Sequence, residues 1–432
     1  MNRALRSLKQ FRIEQARGGL IHLVFDMPDR SMNVFSNVAI DELGRFSAWL
    51  KGSDVRGVVV RSGKSSAFCA GADLGELGVA YDTIVAAPPS DRFQIAFDHF
   101  FALSKAIRGL ETSGKPVAAA IGGLALGGGC ELALGAHYRV LADTPKAGLG
   151  LPESLVGLLP GAGGTQRLPR LIGVDAALPI LLNGARLSGG AALAGGLVDA
   201  LAPPGEEVEA AEHWLLSDPE PAQPWDRLGW LPPGARDAPT QIAQARRQVL
   251  IETLGHYPAP LAILDCIDQG FAQPFDTAMR TEMTLFAGLI QRREPRDMIQ
   301  TLFTGKLDYD RALKAHAVSA RVARGIETLI NAVRGAVAVE GAALAAAGFK
   351  TGDITPPAPV QASVAPTYWI DLEEADTRRE GARAALVPIV ALANRLAADL
   401  SEAEMRCVDY AVVSQAGFPA YLGGPFAFAA SR

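Results

Sequence analysis

The chain has no basic excess. Its 41 Lys and Arg are set against 46 Asp and Glu, a net charge of −5, without the cationic surface that nucleic-acid binding needs. Cysteine is scarce, and Cys69, Cys130, Cys266 and Cys407 are too scattered for zinc spacing or a disulfide framework. The six histidines form no HExxH or other paired arrangement, so no metal site is expected. No run reaches the roughly 20 charge-free apolar residues of a membrane span. The N-terminus, MNRALRSLKQFRIEQARGG, carries no apolar run behind its charges, so no secretory signal is expected. These absences point to a cytoplasmic protein without nucleic-acid or membrane partners.

What is present is a globular composition. The 432 residues are 49% hydrophobic and include 45 glycines, enough chain for a large core and two or three domains. GLIHLVFD (19–26), VRGVVVR (55–61), PVAAAI after Lys115 and YRVLAD (138–143) read as strands. Between them lie a helix capped by Ser36, with Val38, Leu43, Phe46 and Leu50 as its apolar stripe, and a long amphipathic helix over 90–111. The loop SGKSSAFCAGADLGEL opens a turn of helix, and short helices are expected at 163–172, 175–182 and 191–197. Such alternation predicts an α/β fold of stacked β/α turns with largely parallel strands. From about residue 201 the texture turns Pro-rich and acidic. Residues 239–303, 307–348 and 376–432 then read as helical, with a Pro-rich linker near 354–367. Two of these blocks pass from an Ala-rich helix into a GF turn, a loose internal repeat.

Chemistry concentrates in ALGGGCELALGAHYRVLADTPKAGLGLPESLVGLLPGAGGTQR (125–167). Glu131 and Glu153 sit among Gly, Leu, Ala and Val; desolvation there raises a carboxyl pKa and suits proton transfer, although both also fit as loop-side surface residues. Gly128, at a helix start, lets a ligand approach an unpaired N–H. AFCAGADL offers a second exposed N–H at Ala72. Two N–H groups aimed at one oxygen make an oxyanion hole, each donor worth about 2.7–4 kcal/mol of barrier; the alternative is that the glycines only allow tight packing. Neither loop is a phosphate loop, and GAGGTQ at 161 fails the dinucleotide pattern at Gln166.

Taken in order, AFCAGADL, GGLALGGGCELAL, GLPESLVGLLPGAGGTQRLPRLIG and DAALPILLNGARLSGGAALAGGLVDAL closely resemble the enoyl-CoA hydratase/isomerase (crotonase) family over roughly residues 12–203. They are most like the hydratase part of bacterial fatty-acid oxidation multifunctional enzymes. The resemblance implies a crotonase-type β/α spiral core followed by an all-helical C-terminal region. It divides the chain into a core at 11–203, a linker and helices completing it at 204–305, and the helical region at 306–432. It places the oxyanion-hole amides on Ala72 and Gly128 and the two acids on Glu131 and Glu153. It implies hydration of a 2-enoyl-CoA to a 3-hydroxyacyl-CoA, with Glu131 activating water for C3 and Glu153 delivering a proton to C2. Coenzyme A, entering as part of the substrate, is expected along Ala70, Ala72, Asp73, Leu74 and Met32, with Arg30, Arg61 and Lys64 as cations nearby in sequence.

After Lys306 the expected dinucleotide-binding domain of those enzymes is missing, while GFKTG and GFPAYLGGPFAFA resemble the helical C-terminal half of 3-hydroxyacyl-CoA dehydrogenase. No permanently bound cofactor and no NAD chemistry are therefore expected. Left open are a Δ3–Δ2 enoyl-CoA isomerase or another CoA-thioester lyase, and an assembly subunit that self-associates or docks a separate dehydrogenase or thiolase.

Overall fold

The computed structural model describes residue 5, residues 7–352 and residues 377–431. The Pro-rich linker expected near 354–367 lies outside the described residues. Two compact units emerge: Met1–Ala245 with Ala262–Gln291, and Arg246–Leu261 with Arg292–Arg432. The stretch 204–305, expected as one block completing the first domain, is thus shared between the units, and the expected boundary at 306 falls at 292. The physical reason is that an amphipathic helix declares that one face is buried, not in which core.

The strands of the first unit are β1 Phe11–Gln15, β2 Leu20–Phe25, β3 Gly57–Ser62, β4 Ala67–Cys69, β5 Val117–Ile121, β6 Leu124–Leu126, β7 Tyr138–Ala142, β8 Gly148–Gly150, β9 Arg186–Leu187 and β10 Ala200–Ala202. Its helices include α1 Asn37–Leu50, α2 Leu74–Ala86, α3 Pro89–Glu111, α4 Gly128–Leu134, α5 Gly164–Ile172, α6 Val174–Asn183, α7 Gly189–Ala194 and α8 Glu207–Leu216. Helices α9 Ala238–Thr253 and α10 Pro258–Gly270 cross the unit boundaries, and α11 Phe275–Ile290 returns to the first unit.

The strands form two sheets, ordered β1-β2-β3-β5-β7-β10 and β4-β6-β8-β9. All pairings are parallel except β1 with β2 and β8 with β9. The larger sheet was legible, because VVV in β3 and VAAAI in β5 are buried apolar runs of the kind parallel strands require. Helix α8 covers one face, placing Ala211 and Leu215 against Leu20, Val59, Ala118 and Val140, with Trp214 stacked on Tyr138 at 4.6 Å. Each turn of the spiral adds a strand to the large sheet and then one to the small sheet: β3 then β4, β5 then β6, β7 then β8. The small-sheet strands AFC, LAL and GLG are three residues each, too short for a period to show; AFC was read as loop and the other two were not read as strands.

Ser36 caps α1 as expected, its Oγ accepting from Ala39 N–H at 3.2 Å. The stripe needs one correction: Val38 is 44% exposed, and Ala39 joins Leu43, Phe46 and Leu50 in the core. Helix α2 runs for 13 residues instead of a single turn. Asp73 lengthens it, accepting from Gly75 and Glu76 N–H.

The second unit is helical throughout its described residues. Helices Ala320–Ala346, Thr377–Ala397, Glu402–Ala416 and Pro425–Ala430 enclose a core that includes Leu329, Val333, Leu344, Leu386, Ile389, Val408, Val412, Phe418 and Phe428. The two GF turns meet there. Gly348 and Gly417 both have left-handed φ (80° and 71°), Lys350 N–H donates to Gly417 O at 3.0 Å, and the Phe349 and Phe418 rings cross edge-on at 5.0 Å. The 27 residues Ala320–Ala346 are long and apolar enough by length and composition to cross a membrane. The helix carries Arg334 and Glu340, and its Leu329, Ile330, Val333 and Leu344 are buried in this core.

Close backbone approach fixes where α4 lies on β4. A Cβ on Gly129 would stand 2.5 Å from Cys69 O. Gly129→Ala is expected to destabilise by about 1–3 kcal/mol in urea unfolding. Gly52→Ala, where nothing lies within 4 Å, is expected to stay within about 0.5 kcal/mol of the parent.

Candidate active site

The small sheet brings the functional residues together. Cys69 pairs with Ala125 and Leu126 with Gly150, so β4, β6 and β8 end side by side. The segments that follow them, 70–74, 127–131 and 151–153, must therefore leave the sheet as neighbours. Ala72, Gly128, Glu131 and Glu153 lie on these three segments.

The Ala72 amide is aimed by its flanks. Phe35 N–H donates to Gly71 O at 2.7 Å and Asp73 N–H donates to Phe35 O at 3.0 Å. In this parallel bridge the residue between the two bonds, Ala72, turns its own N–H away from Phe35. The other side holds the β6–α4 turn: a Cβ on Gly71 would lie 3.3 Å from Leu126 O and 3.9 Å from Gly128 N. Gly71 has φ +101° and Gly127 φ +52°, conformations open to glycine at little cost. Gly128 is the first residue of α4, where no intrahelical acceptor exists. Neither the Ala72 nor the Gly128 N–H donates a hydrogen bond among the described residues.

Glu131 lies one turn into α4 and is 2% exposed. Its Oε1 accepts from Ala162 N–H at 2.7 Å and Gly164 N–H at 2.8 Å. Burial pushes its pKa up to about 7, against the pull of those two amides and of the Arg167 charge. Glu153 opens a short 3₁₀ turn, Glu153–Val156. Its Oε1 lies 2.7 Å from where a Gly127 Cβ would stand, and its Oε2 is buried without a partner among the described residues. Burial first, then the neighbouring Glu131 charge, holds Glu153 well above the usual carboxylate range, opposed only by its own backbone amide. The asymmetry ranks the pair: Glu131, with two N–H donors and Arg167 nearby, is the better placed to carry a negative charge, and Glu153 the better placed to hold a proton.

Sequence reasoning missed a third buried carboxylate, Glu282 of α11, which is 0% exposed. It accepts from Gly163 N–H at 2.6 Å, Thr165 N–H at 3.0 Å and Thr165 Oγ at 2.5 Å. Burial and the Glu131 charge raise it to about 8. Its signal was weak, a lone Glu in the apolar run EMTLFAGLI. GAGGTQR, which failed as a nucleotide loop, is now accounted for. Arg167, fully buried, forms a two-bonded pair with Glu111 (2.8 and 2.7 Å) and donates to Ala162 O at 2.7 Å. Asn33, also fully buried, ties the surrounding loops: its side chain accepts from Met27 N–H and donates to Phe25 O, Ser62 Oγ and Phe68 O.

The expected coenzyme A wall divides into two groups. Ala70 N–H donates to Asn33 O, which sets the segment carrying Met32, 41% exposed, beside the segment 70–74. Arg30 bonds Asp73 at 2.9 Å. Arg61 and Lys64, like Arg30, are already ion-paired. Arg61 is paired to Glu14 at 2.5 Å and Lys64 to Asp26 at 2.8 Å, because positions close in sequence are spent on neutralising strand-edge carboxylates.

With this geometry in place, the comparisons can be set beside it. Residues 15–218 match the family model described as enoyl-CoA hydratase/isomerase. Those residues belong to that family. The chain is similar to the fatty acid oxidation complex subunit alpha of Shewanella frigidimarina, 36% identical over 290 residues, 66% of this chain and 39% of the relative. The subunit of the same name from Shewanella loihica is 33% identical over 332 residues, 76% of this chain and 45% of the relative. The chain thus spans about two fifths of the length of these curated relatives. Among solved structures, an enoyl-CoA hydratase from Bacillus anthracis is 25% identical, covering 68% of this chain and 95% of that one with a TM-score of 0.43.

Raised carboxyl pKa values in the first unit link stability to pH. A group raised from 4.5 to about 7 (Glu131) or about 8 (Glu282) binds a proton more tightly when folded. Its contribution is therefore complete below pH 4.5 and is lost as pH rises through the folded value. Thermal unfolding scans are expected to show stability falling between about pH 4.5 and 8 and levelling off above that, and Glu153→Gln is expected to make that decline shallower.

Proposed function

We propose that the chain is an enoyl-CoA hydratase. The observation that carries this reading is the unequal pair, Glu131 with two amide donors and Glu153 with a buried unpartnered oxygen, beside two N–H groups that have no acceptor. Acid–base addition of water needs one group to take a proton while another gives one. In the proposed reaction the Ala72 and Gly128 amides hold the thioester oxygen as negative charge develops on it. Glu131 takes a proton from water as the oxygen bonds to C3 of a 2-enoyl-CoA. Glu153 gives its proton to C2 and the enolate collapses to the 3-hydroxyacyl-CoA. The proton on Glu131 returns to Glu153, directly or through solvent. No bound cofactor is required, since the reaction transfers no electrons and coenzyme A arrives as part of the substrate.

A second reading, Δ3–Δ2 isomerisation, draws on Glu153 alone: in its ionised form it would take a proton from C2 of a 3-enoyl-CoA and return it to C4 of the dienolate held at the hole, without water. Membership of an assembly with a separate dehydrogenase or thiolase is a further proposal. It is supported by the names of the curated relatives, which are subunits of a fatty acid oxidation complex.

The test is hydration of crotonyl-CoA by the pure chain. Glu131→Gln and Glu153→Gln are each expected to lower kcat by about 10²–10⁴ with KM within a few-fold of the parent. A parent that isomerises a 3-enoyl-CoA but leaves crotonyl-CoA unhydrated, with Glu131→Gln unimpaired, would select the second reading.

A further inference from the structure

Four consecutive amides lead into helix α5, those of Ala162, Gly163, Gly164 and Thr165, and two carboxylates divide them alternately. Glu131 takes the amides of Ala162 and Gly164, and Glu282 takes those of Gly163 and Thr165. The segment is Gly161–Ala162–Gly163–Gly164, and Gly163 has φ +97°. Such a run has little conformational preference of its own. What holds it is its set of partners: the two carboxylates, the Arg167 bond to Ala162 O, and Phe286 of α11, 2.9 Å from where a Gly161 Cβ would stand. Two of these, Glu282 and Phe286, come from one helix about 120 residues further along the chain.

We propose that Glu282 is a positioning residue for the catalytic pair: it holds the 161–165 turn so that two amides stay aimed at Glu131, and it adds a nearby acid that helps set where the proton on Glu131 and Glu153 resides. The proposal rests on the hydratase reading for its kinetic consequences but not for its geometry. Glu282 touches no substrate in this account and acts through the turn and through charge.

The groups facing Glu282 support this. Glu131 from α4 and Glu153 from the 3₁₀ turn are like charges when ionised: the charges of Glu131 and Glu282 push Glu153 toward the protonated form, and that of Glu131 pushes Glu282 the same way. Arg167 and Arg170 from α5 oppose them. Cys266 from α10 faces the same point with a thiol that burial and the Glu282 charge keep protonated. Helix α3 presents Glu111 to Arg167 at 2.7 Å, so the arginine's charge is divided between that partner and the site. A purely structural clamp could be made of neutral acceptors. A third ionisable carboxyl makes the proton count of the pair depend on it.

The experiment compares Glu282→Gln and Glu282→Leu with the parent in the full chain. Glu282→Leu removes both acceptors and is expected to lower kcat about tenfold to a hundredfold with KM within about twofold, the loss that a misplaced catalytic group produces. Glu282→Gln keeps one acceptor for the turn and is expected to recover most of kcat. It also removes the like charge, so the basic limb of the kcat/KM profile is expected to move about one pH unit lower. A structural role alone would lower the unfolding temperature and leave the pH profile in place; that result overturns the proposal, as does an unchanged kcat in Glu282→Leu. If Glu282→Leu does not fold, Glu282→Gln alone decides. The carboxyl titration of parent and Glu282→Gln, followed by difference infrared spectroscopy, is read without turnover. A shift of the Glu131–Glu153 titration to lower pH in Glu282→Gln supports the proposal even where crotonyl-CoA proves to be the wrong substrate. No shift contradicts it. Absence of hydration by the parent would count against the hydratase reading and not against Glu282.

Discussion

The site depends on how the free amides at the start of α5 are satisfied. A helix N-terminus buried in a core must find acceptors for N–H groups that its own turns leave unpaired, and here the acceptors are carboxylates from two other helices. The requirement works in both directions. The amides offset part of the burial that raises the Glu131 carboxyl, and the carboxylates hold a glycine-rich turn that would otherwise be loose. Arg167, on the same helix, adds a positive charge but is itself fixed by Glu111. Removing either partner of such a buried pair would strand a charge, a cost of about 3–5 kcal/mol.

The proposed chemistry draws on that arrangement. Glu131 carries the amide donors and Glu153 does not, so the two carboxyls have different environments. In the proposed hydration that difference is what would distinguish base from acid. Opposite them, the small sheet delivers two amides from separate chain segments to one place, because β4 and β6 are paired and end together.

Much of this was legible in the chain. Glu131, Glu153, Ala72 and Gly128 stand in long motifs with definite spacing, and buried runs such as VVV and VAAAI declared the large sheet. The small sheet was hidden, since AFC, LAL and GLG are too short to show a period and are rich in residues that also make loops. Glu282 was hidden because its partners lie about 120 residues earlier. Its local setting, one acid in an amphipathic helix, is shared by many solvated glutamates. Arg61 and Lys64 misled in the opposite way, being near the right loops in sequence but already paired across strand edges. The boundary between the two units was misread for a related reason: α9, α10 and α11 have similar amphipathic patterns, and only tertiary packing sorts them.

The most direct measurement is a crystal structure of the chain with a bound acyl-CoA product. The account requires the thioester oxygen to lie about 2.7–3.1 Å from both the Ala72 and Gly128 nitrogens, with the 3-hydroxyl between Glu131 and Glu153. An acyl-CoA bound with its thioester away from those two amides, or with its C3 away from the two glutamates, would contradict it.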